Sequence, residues 1–461
     1  MLVLWPFVGW QLWTRLDHGR ALLWTVLGGY LLLPPLTAFN FPVIPDLDKV
    51  SIPNLTALFC AMYVLGDRIS FLPDSKAGKL LLGIYVFSPF ATVLTNSEPL
   101  FFQQGMIQGM RIYDSAAAVI NQAIVLLPFF LARRYLGTPE GCRIALLGLV
   151  VGGLAYSIPM MIEARFSPQI NVWVYGFFQH DFFQTIRFGG YRPVVFLQHG
   201  LWVAFFTLTC FLAAVVFARD AAPDARPRAV LILVYLAAML VLCKSAGPAV
   251  YAAGLVPLLV FASWRVQLLV AAGLACIVLI YPLLRGANLV PLEAILHFAE
   301  GFSTDRAYSL QFRIENEEML LAHANVKPWF GWGGYGRNFL HNPVTGEMMN
   351  IADGAWIITL GIYGWFGFIA EFGLTALPLL ALGREAFLNN AAVLNRFTAG
   401  LALILAANML DLLPNATHIP FTWLMVGALL GDAERMARVR LGLAPGSGGT
   451  MHPLAPKRTV I

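Results

Sequence analysis

Long apolar stretches alternate with short polar segments along most of this 461-residue chain. Several of the stretches approach the roughly 20 residues with which a helix crosses the hydrocarbon core of a bilayer. Backbone groups in lipid must form hydrogen bonds within their own segment, so these stretches predict helices. We expect about 12 to 14 membrane-spanning helices, from apolar segments near 1–14, 21–34, 51–66, 80–96, 113–132, 144–162, 194–217, 229–243, 247–263, 266–284, 355–382, 397–413 and 419–431.

Composition narrows the fold class to an all-α, polytopic integral membrane bundle. Apolar residues make up 59% of the chain and charged residues 12%, whereas soluble domains carry roughly 25% charge. The alternating short strands of a membrane β-barrel are not evident. The five cysteines have no spacing typical of a zinc site or of a disulfide framework.

Basic residues orient the predicted helices. Short loops on the cytoplasmic side of a membrane protein are enriched in lysine and arginine. By this rule one side is cytoplasmic, and it holds Arg15, Arg20, Arg68, Lys76, Lys79, Arg133, Arg134, Arg143, Arg219, Arg226, Arg228, Arg265, Arg384, Arg396, Arg435, Arg438, Arg440, Lys457 and Arg458. The sequence pI near 9.0 then reflects anchoring to the membrane, and we expect no nucleic-acid partner.

Two long loops face the opposite side, which we take to be the periplasm. They lie at 163–193 and 285–353, and the second contains amphipathic helical patterns at 291–302 and 309–326. We therefore divide the chain into an N-terminal bundle (1–284), a periplasmic helical loop (285–353) that we expect to carry the functional site, C-terminal membrane helices (354–431) and a disordered cytoplasmic tail (432–461). The absence of a clear internal repeat weakens a transporter interpretation.

Charged side chains are concentrated in these loops. Arg313 and Glu317 are spaced as an i,i+4 ion pair, which is the simplest role for both. In the following segment, KPWFGWGGYGRN (327–338), Pro328 ends the helix, and the glycines and aromatic residues predict a tight turn at the membrane interface.

In the first loop, Arg192 and His199 are seven residues apart and would share a face if a helix begins there. His199 fits a packing role as well as a functional one. An arginine at that depth requires an anion.

Three sequence blocks, in order, resemble motifs of the bacterial O-antigen ligase and polysaccharide polymerase superfamily. They are GGYRPVVFLQHG (189–200), RIENEEMLLAHANVKPWFGWGGYG (313–336) and ADGAWIITLGIYGWFGFIAEFG (352–373). Family members transfer glycans from a polyprenyl diphosphate at the outer face of the bacterial inner membrane. The resemblance implies a GT-C-like, multi-pass glycosyltransferase that acts on a polyprenyl-diphosphate-linked oligosaccharide and contacts membrane lipid. Chain-length regulator or export proteins are further expected partners.

The resemblance also implies roles for particular residues. Arg192 and Arg313 would clamp the diphosphate, because the planar guanidinium group holds two phosphate oxygens and stays charged. Arg187 and Arg337 would assist them, and His199 would contact the phosphate or the acceptor. We expect no cofactor and a metal-independent transfer.

The acceptor hydroxyl needs a general base. Asp353 is the first candidate, His341 the second and Glu317 the third. Asp353 could instead act only as the N-cap of the helix that follows it. Ligases of the family carry histidine where this chain has Asp353, which favours a polymerase.

Two other functions stay open. In a ligase the same donor chemistry would deliver the glycan to a lipid A core or to a protein. In a transporter or flippase for lipid-linked sugars, polar groups would lie at mid-membrane, as Glu371 and Asp411 do in the apolar pattern.

Overall fold

The computed structural model describes residues 1–41, 44–187, 189–301, 304–388, 394–417 and 419–443. In this structure, each of the thirteen predicted apolar segments overlaps at least one helix. The helices are α1 Trp5–Arg15, α2 His18–Leu32, α3 Ser51–Phe59 with a π-helical turn Cys60–Val64, α4 Lys76–Leu94, α5 Ile112–Val125, α6 Leu127–Tyr135, α7 Pro139–Phe166, α8 Ile170–Tyr175, α9 Gly200–Arg219, α10 Arg226–Leu242, α11 Ala246–Phe261, α12 Trp264–Gly286, α13 Leu292–Glu300, α14 Thr304–Ala324, α15 Ala355–Leu388, α16 Arg396–Asp411 and α17 Pro420–Arg440.

Polar residues before many helices fix where they begin. A side-chain oxygen that accepts a hydrogen bond from the first turn satisfies a backbone N–H that has no partner within the helix. Asp17 caps α2, Thr138 caps α7, Ser263 caps α12 and Asn395 caps α16 in this way. Proline occupies the first turn of α7, α10 and α17, where a missing N–H costs nothing.

The described strands form three small antiparallel hairpins, which the sequence did not predict. They pair β1 Phe39–Phe41 with β2 Ile44–Leu47, β3 Leu100–Phe102 with β4 Gly105–Ile107, and β5 Ile186–Arg187 with β6 Gly190–Tyr191. A 3₁₀ turn at Phe182–Thr185 precedes β5. All three hairpins lie in connecting segments, so the all-α fold class is confirmed.

Six helices in the described part of the chain are long and apolar enough to cross a membrane, as a multi-pass membrane protein requires. They are α4, α5 together with α6, α7, α9, α12 and α15. Two further apolar helices, Ser51–Val64 and α11, are shorter.

Helix α16 forms the centre of the bundle. Every residue from Phe397 to Met409 is buried, and the helix packs against α7, α9, α12 and α17. Helix α12 also packs on α15, and α6 packs on α17. The helices of the predicted N-terminal and C-terminal parts therefore pack directly against one another.

Among the described residues, polar contacts that involve helix ends and connecting segments occur at both ends of the bundle. Ion pairs at one end join Arg134 with Asp67, Arg133 and Arg438 with Asp74, Arg133 with Glu434, Arg396 with Asp220, and Arg440 with Glu385. Hydrogen bonds at the other end join Lys49 with Phe196, Lys327 with Asn96, Arg337 with Glu98, and Arg313 with Asn415. This grouping matches the two sides predicted from the basic residues.

Helix α15 is broken at Gly364, whose φ of 65° and ψ of −163° are not helical. Segment 328–333 fills the break with its backbone. The amides of Trp332 and Gly333 donate to the carbonyls of Gly361 and Ile362, and the amides of Trp365 and Phe366 donate to Pro328 and Trp329. The predicted turn at 327–338 therefore serves a packing role that its sequence did not indicate.

Two predicted boundaries need correction. The loop helices are α13 and α14, and α14 begins five residues earlier than the predicted 309. The predicted disordered tail begins too early, because α17 continues to Arg440. Residues 444–461 of that tail lie outside the described residues.

Candidate functional site

Arg192 is a buried cation without an acidic partner. Its side chain is 6% exposed, and its guanidinium group donates to the carbonyl of Cys243 at 3.4 Å and to the Ser245 hydroxyl at 3.1 Å. No Asp or Glu within the described residues forms an ion pair with it. Because a buried charge is costly unless it is paired, this geometry is typical of a site that receives an anion.

The segment that carries Arg192 is held by Glu163 at the end of α7. The Glu163 carboxylate accepts hydrogen bonds from the amides of Ile170, Val194 and Val195 at 3.0, 2.8 and 2.7 Å. The segment is an irregular loop with a turn at Val195, and the predicted helical face shared by Arg192 and His199 does not form. His199 is instead the N-cap of α9, where its Nδ1 accepts from the Leu201 amide at 2.9 Å.

Arg313 reaches the same end of the bundle from α14. Its Nε lies 3.2 Å from the Asp353 carboxylate, and its Nη1 donates to the Pro414 carbonyl and to Asn415 Oδ1 at 3.2 and 3.3 Å. The predicted Arg313–Glu317 ion pair is wrong, because the two side chains take partners on different helices.

Arg313 of α14 lies close enough to the first loop to affect the pKa values of Arg192 and His199. The pKa of Arg192 is lowered to about 10, chiefly by burial and to a smaller extent by the positive charges of Arg187 and Arg313. Burial also lowers the pKa of His199 to about 3, with contributions from His180, Arg192, Arg313 and Arg187. The rings of His180 and His199 are 4.4 Å apart. We call these five residues, Arg187, Arg192, Arg313, His180 and His199, the arginine cluster.

Two carboxylates border the cluster. Asp353 is partly exposed, and its described partner is Arg313. It makes no N-cap hydrogen bond to α15 within the described residues, so the capping role proposed for it is not observed. Asp411, at the end of α16, is buried and accepts from Asn415 Nδ2 at 2.9 Å and Thr417 Oγ1 at 2.7 Å. Asn415 thus links Asp411 to Arg313.

Glu317, one turn along α14 from Arg313, has partners of its own. Arg285 donates to it at 3.0 Å, and Tyr281 and Trp356 donate at 3.2 and 3.3 Å. Burial raises the pKa of Glu317, and Arg285 opposes this effect. Since its oxygens are occupied, its contacts are those of a residue that joins α12, α14 and α15.

Arg337 and His341 also have structural contacts instead of contacts with the cluster. Arg337 is 1% exposed and donates to the carbonyls of Trp332, Gln108 and Glu98 at 3.2, 3.0 and 2.9 Å. The ring nitrogens of His341 lie 3.1 and 2.9 Å from the carbonyls of Gly346 and Gly336. The structure therefore does not bring either side chain to Arg192.

Sequence reasoning missed several residues that shape the site. Glu163, His180, Gly200, Ser245 and Asn415 were not among the predicted site residues. A Cβ atom on Gly200 would lie 2.2 Å from Cδ of Arg192, so the glycine provides the space for the arginine. The glycine that closes the GGYRPVVFLQHG block was the available signal for this close approach.

The arrangement suits a phosphorylated ligand. Three arginines supply positive charge, and the histidine rings and the N-terminus of α9 add N–H donors; charged donors and helix N-termini are groups that bind phosphate. Within the described residues no group of three or more His, Cys, Asp or Glu side chains could hold a metal ion, and a metal-independent reaction stays a prediction. No protein-family model matches the chain, and no curated protein shows significant similarity to it.

Proposed function

We propose that this chain is an integral membrane glycosyltransferase that polymerises polyprenyl-diphosphate-linked oligosaccharides at the outer face of the bacterial inner membrane. The observation that carries the proposal is Arg192, a buried cation with no acidic partner in the described chain, which lies in the field of Arg187 and Arg313. A diphosphate is the anion that best fits several guanidinium groups from two separate segments.

The transfer breaks the bond between the anomeric carbon of the donor sugar and its diphosphate oxygen. The diphosphate leaves with the electron pair, and the arginine cluster stabilises the charge that develops on it. The oxygen of an acceptor hydroxyl forms the new bond to the anomeric carbon. Its proton passes to a carboxylate, for which Asp353 is the best-placed group.

Asp353 and Arg313 are coupled in this mechanism. In the absence of substrate they form an ion pair at 3.2 Å, with side chains 38% and 32% exposed. A bound diphosphate, with its greater charge, takes over the guanidinium group. Asp353 then loses its partner and accepts the hydroxyl proton, so donor binding prepares the base.

Of the two alternative functions, a transporter receives less support from the contacts. Asp411 hydrogen-bonds with Asn415 and Thr417 at a helix end, and Glu371 accepts from Thr359 at 2.9 Å across the break in α15. Both therefore have protein partners, which favours an enzyme over a mid-membrane transport pathway. A ligase would share the donor site and differ in its product, which would be a single attachment instead of a ladder of repeats.

Binding of undecaprenyl diphosphate to the purified protein in nanodiscs tests the donor site. A hydrogen bond to a charged group contributes about 1.5–3 kcal/mol, so Arg192→Ala and Arg313→Ala should each weaken binding about 10-fold to 100-fold. Arg143→Ala is the matched control, because Arg143 forms an exposed ion pair with Glu140 at the other end of the bundle. Unchanged affinity in both site variants would reject the proposal.

A further inference from the structure

A cavity of about 280 Å³ lies beside the arginine cluster. It is enclosed by the end of α2, the segment around the β1–β2 hairpin, and the first residues of α9 and α17. The side chains that matter for its chemistry are those of Tyr30, Asp46, Lys49, Gln198 and Trp202. Small-ligand sites begin at roughly 300 Å³, so the cavity has the size of a site for one small polar group.

Several polar groups of the lining have no partner in the protein. The Tyr30 hydroxyl is buried and forms no hydrogen bond within the described residues. The Asp46 carboxylate, the Gln198 amide and the Trp202 indole N–H likewise form none with the described chain. Of these four groups the Tyr30 hydroxyl is the buried one, whereas Asp46 is exposed and Gln198 and Trp202 are half-buried. The last three are therefore accessible and free to form hydrogen bonds with a ligand that supplies both donors and acceptors.

The lining also selects against a strongly charged ligand. Asp46 and Asp48 oppose Lys49, which is buried, donates to the Phe196 carbonyl at 2.9 Å and lies over the Tyr30 ring. Tyr30 and Trp202 stack with ring centroids 6.4 Å apart and planes at 26°, which gives the cavity an aromatic wall. Aromatic rings together with carboxylate, amide and indole groups match the apolar faces and the hydroxyl groups of a sugar ring.

The cavity and the arginine cluster share two walls. Gln198 lines the cavity, and the next residue, His199, belongs to the cluster. Pro420 lines the cavity, while Asn415 of the same connecting segment accepts a hydrogen bond from Arg313. The cavity is thus bordered by two parts of the chain that also carry His199 and the Asn415 partner of Arg313.

We propose that this cavity binds one saccharide unit of the acceptor and holds it next to the donor diphosphate. That the ligand is a saccharide is inferred from the lining alone. That this saccharide belongs to the acceptor rests on the proposed function. A sugar held here is fixed by Gln198 and Asp46 through its hydroxyl groups and by Trp202 through its ring.

Saturation-transfer difference NMR on the full chain in nanodiscs tests the site. The probes are glucose, galactose, mannose, rhamnose and N-acetylglucosamine, each as the free sugar. At least one should receive magnetisation from the protein, and Gln198→Ala and Trp202→Ala should each weaken its affinity at least 10-fold. Trp173→Ala is the matched control, because Trp173 is 63% exposed at the same end of the bundle and lies outside the cavity. Asp46→Asn, at an exposed position, repeats the test without removing a packed side chain.

The outcomes separate this inference from the proposed function. If none of the sugars receives magnetisation while undecaprenyl diphosphate binds, the cavity proposal is rejected and the donor site stands. An equal loss of signal in Trp173→Ala and Trp202→Ala also rejects it. Sugar binding that survives Arg192→Ala supports the cavity proposal. If sugar binds but undecaprenyl diphosphate does not, only the glycosyltransferase proposal fails.

Discussion

Arg192 occupies its position because residue 200 has no side chain. Its aliphatic stem crosses the start of α9, where an added Cβ on Gly200 would approach Cδ to 2.2 Å and Cγ to 2.8 Å. A contact that short requires the arginine or the helix to move. The placement of the buried cation therefore depends on a glycine that itself contributes no side chain.

Gly200→Ala should displace Arg192 and weaken binding of undecaprenyl diphosphate about 10-fold or more, while the protein stays folded. Gly247→Ala is the matched control, because a Cβ there meets no atom within 4 Å in the first turn of α11. Binding in nanodiscs and thermal unfolding are measured for both. Wild-type affinity in Gly200→Ala would show that Arg192 does not need its present position to hold the anion.

His199 should make the protein sensitive to acid. Its pKa of about 3 lies well below the usual 6.5 because of burial and the cations around it. Between these two values the unfolded chain binds a proton that the folded chain does not. Stability therefore falls as pH decreases from 6.5 towards 3 and is unaffected by this group above 6.5.

His199→Asn should reduce that acid sensitivity, since asparagine caps a helix but does not titrate. Thermal unfolding in detergent at pH 7.5 and 5.5 measures the effect. At pH 5.5 the wild type should lose about 1 kcal/mol more than the variant, relative to pH 7.5. An identical pH dependence in both proteins would exclude His199 as a buried neutral group.

Glu163, which is distant in sequence, fixes the conformation of the connecting segment 192–197. The carboxylate accepts the amides of Val194 and Val195, and Val195 has a φ of 53°. Local sequence could not predict this arrangement, because Glu163 lies about thirty residues earlier at the end of another helix. The apolar run 194–217 instead indicated a helix from its first residue.

Glu163→Gln should loosen this segment. An amide side chain cannot accept both N–H groups through charged oxygens, and charge-assisted hydrogen bonds contribute about 1.5–3 kcal/mol each. Amide hydrogen exchange in peptides covering 192–197 should accelerate about 10-fold to 100-fold. Glu140→Gln is the control, since Glu140 forms only an exposed ion pair with Arg143. Equal exchange in both variants would contradict the role of Glu163.

Helix α15 shows why a helical break is hard to predict from hydropathy. The apolar pattern 355–382 is continuous, yet the backbone turns at Gly364. The break is stable only because segment 328–333 pairs with the peptide groups that the turn releases. Gly331, with a φ of 68°, is needed as well, because its Cβ would lie 2.5 Å from the carbonyl of Ile362.

Gly364→Ala should destabilise the protein by about 2–4 kcal/mol, because it combines a positive φ with a Cβ placed 2.4 Å from the Trp329 carbonyl. Thermal unfolding measures the loss. Gly273→Ala in α12 is the control, since its Cβ meets nothing within 4 Å and alanine favours a helix interior by up to about 1 kcal/mol. A variant as stable as the control would show that the break tolerates a side chain.

Over the whole molecule, the helices were predictable because the length and apolarity of a segment are local properties. The convergence of the first loop with Arg313 followed from the family resemblance rather than from any local pattern. The partners of Glu317, Arg337 and His341 were not predictable, because a charged side chain selects among groups that only the tertiary fold brings near. Glu317 pairs with Arg285, which is 32 residues away in sequence, and not with its neighbour on the helix, Arg313.

The two groups of end contacts predict which side of the membrane each loop faces. Gln104 is exposed in the connection between β3 and β4, at the end that holds the arginine cluster, and Asp224 is exposed between α9 and α10, at the other end. In a Cys276→Ala background, which removes the one exposed native cysteine of the described chain, Gln104→Cys should react with a membrane-impermeant maleimide in spheroplasts. Asp224→Cys should react only after permeabilisation. Reaction of Asp224→Cys in intact spheroplasts, with Gln104→Cys protected, would place the cluster in the cytoplasm. The proposed transferase requires the arginine cluster to face the periplasm, because its acceptor glycan and its donor headgroup must meet at the outer face of the inner membrane.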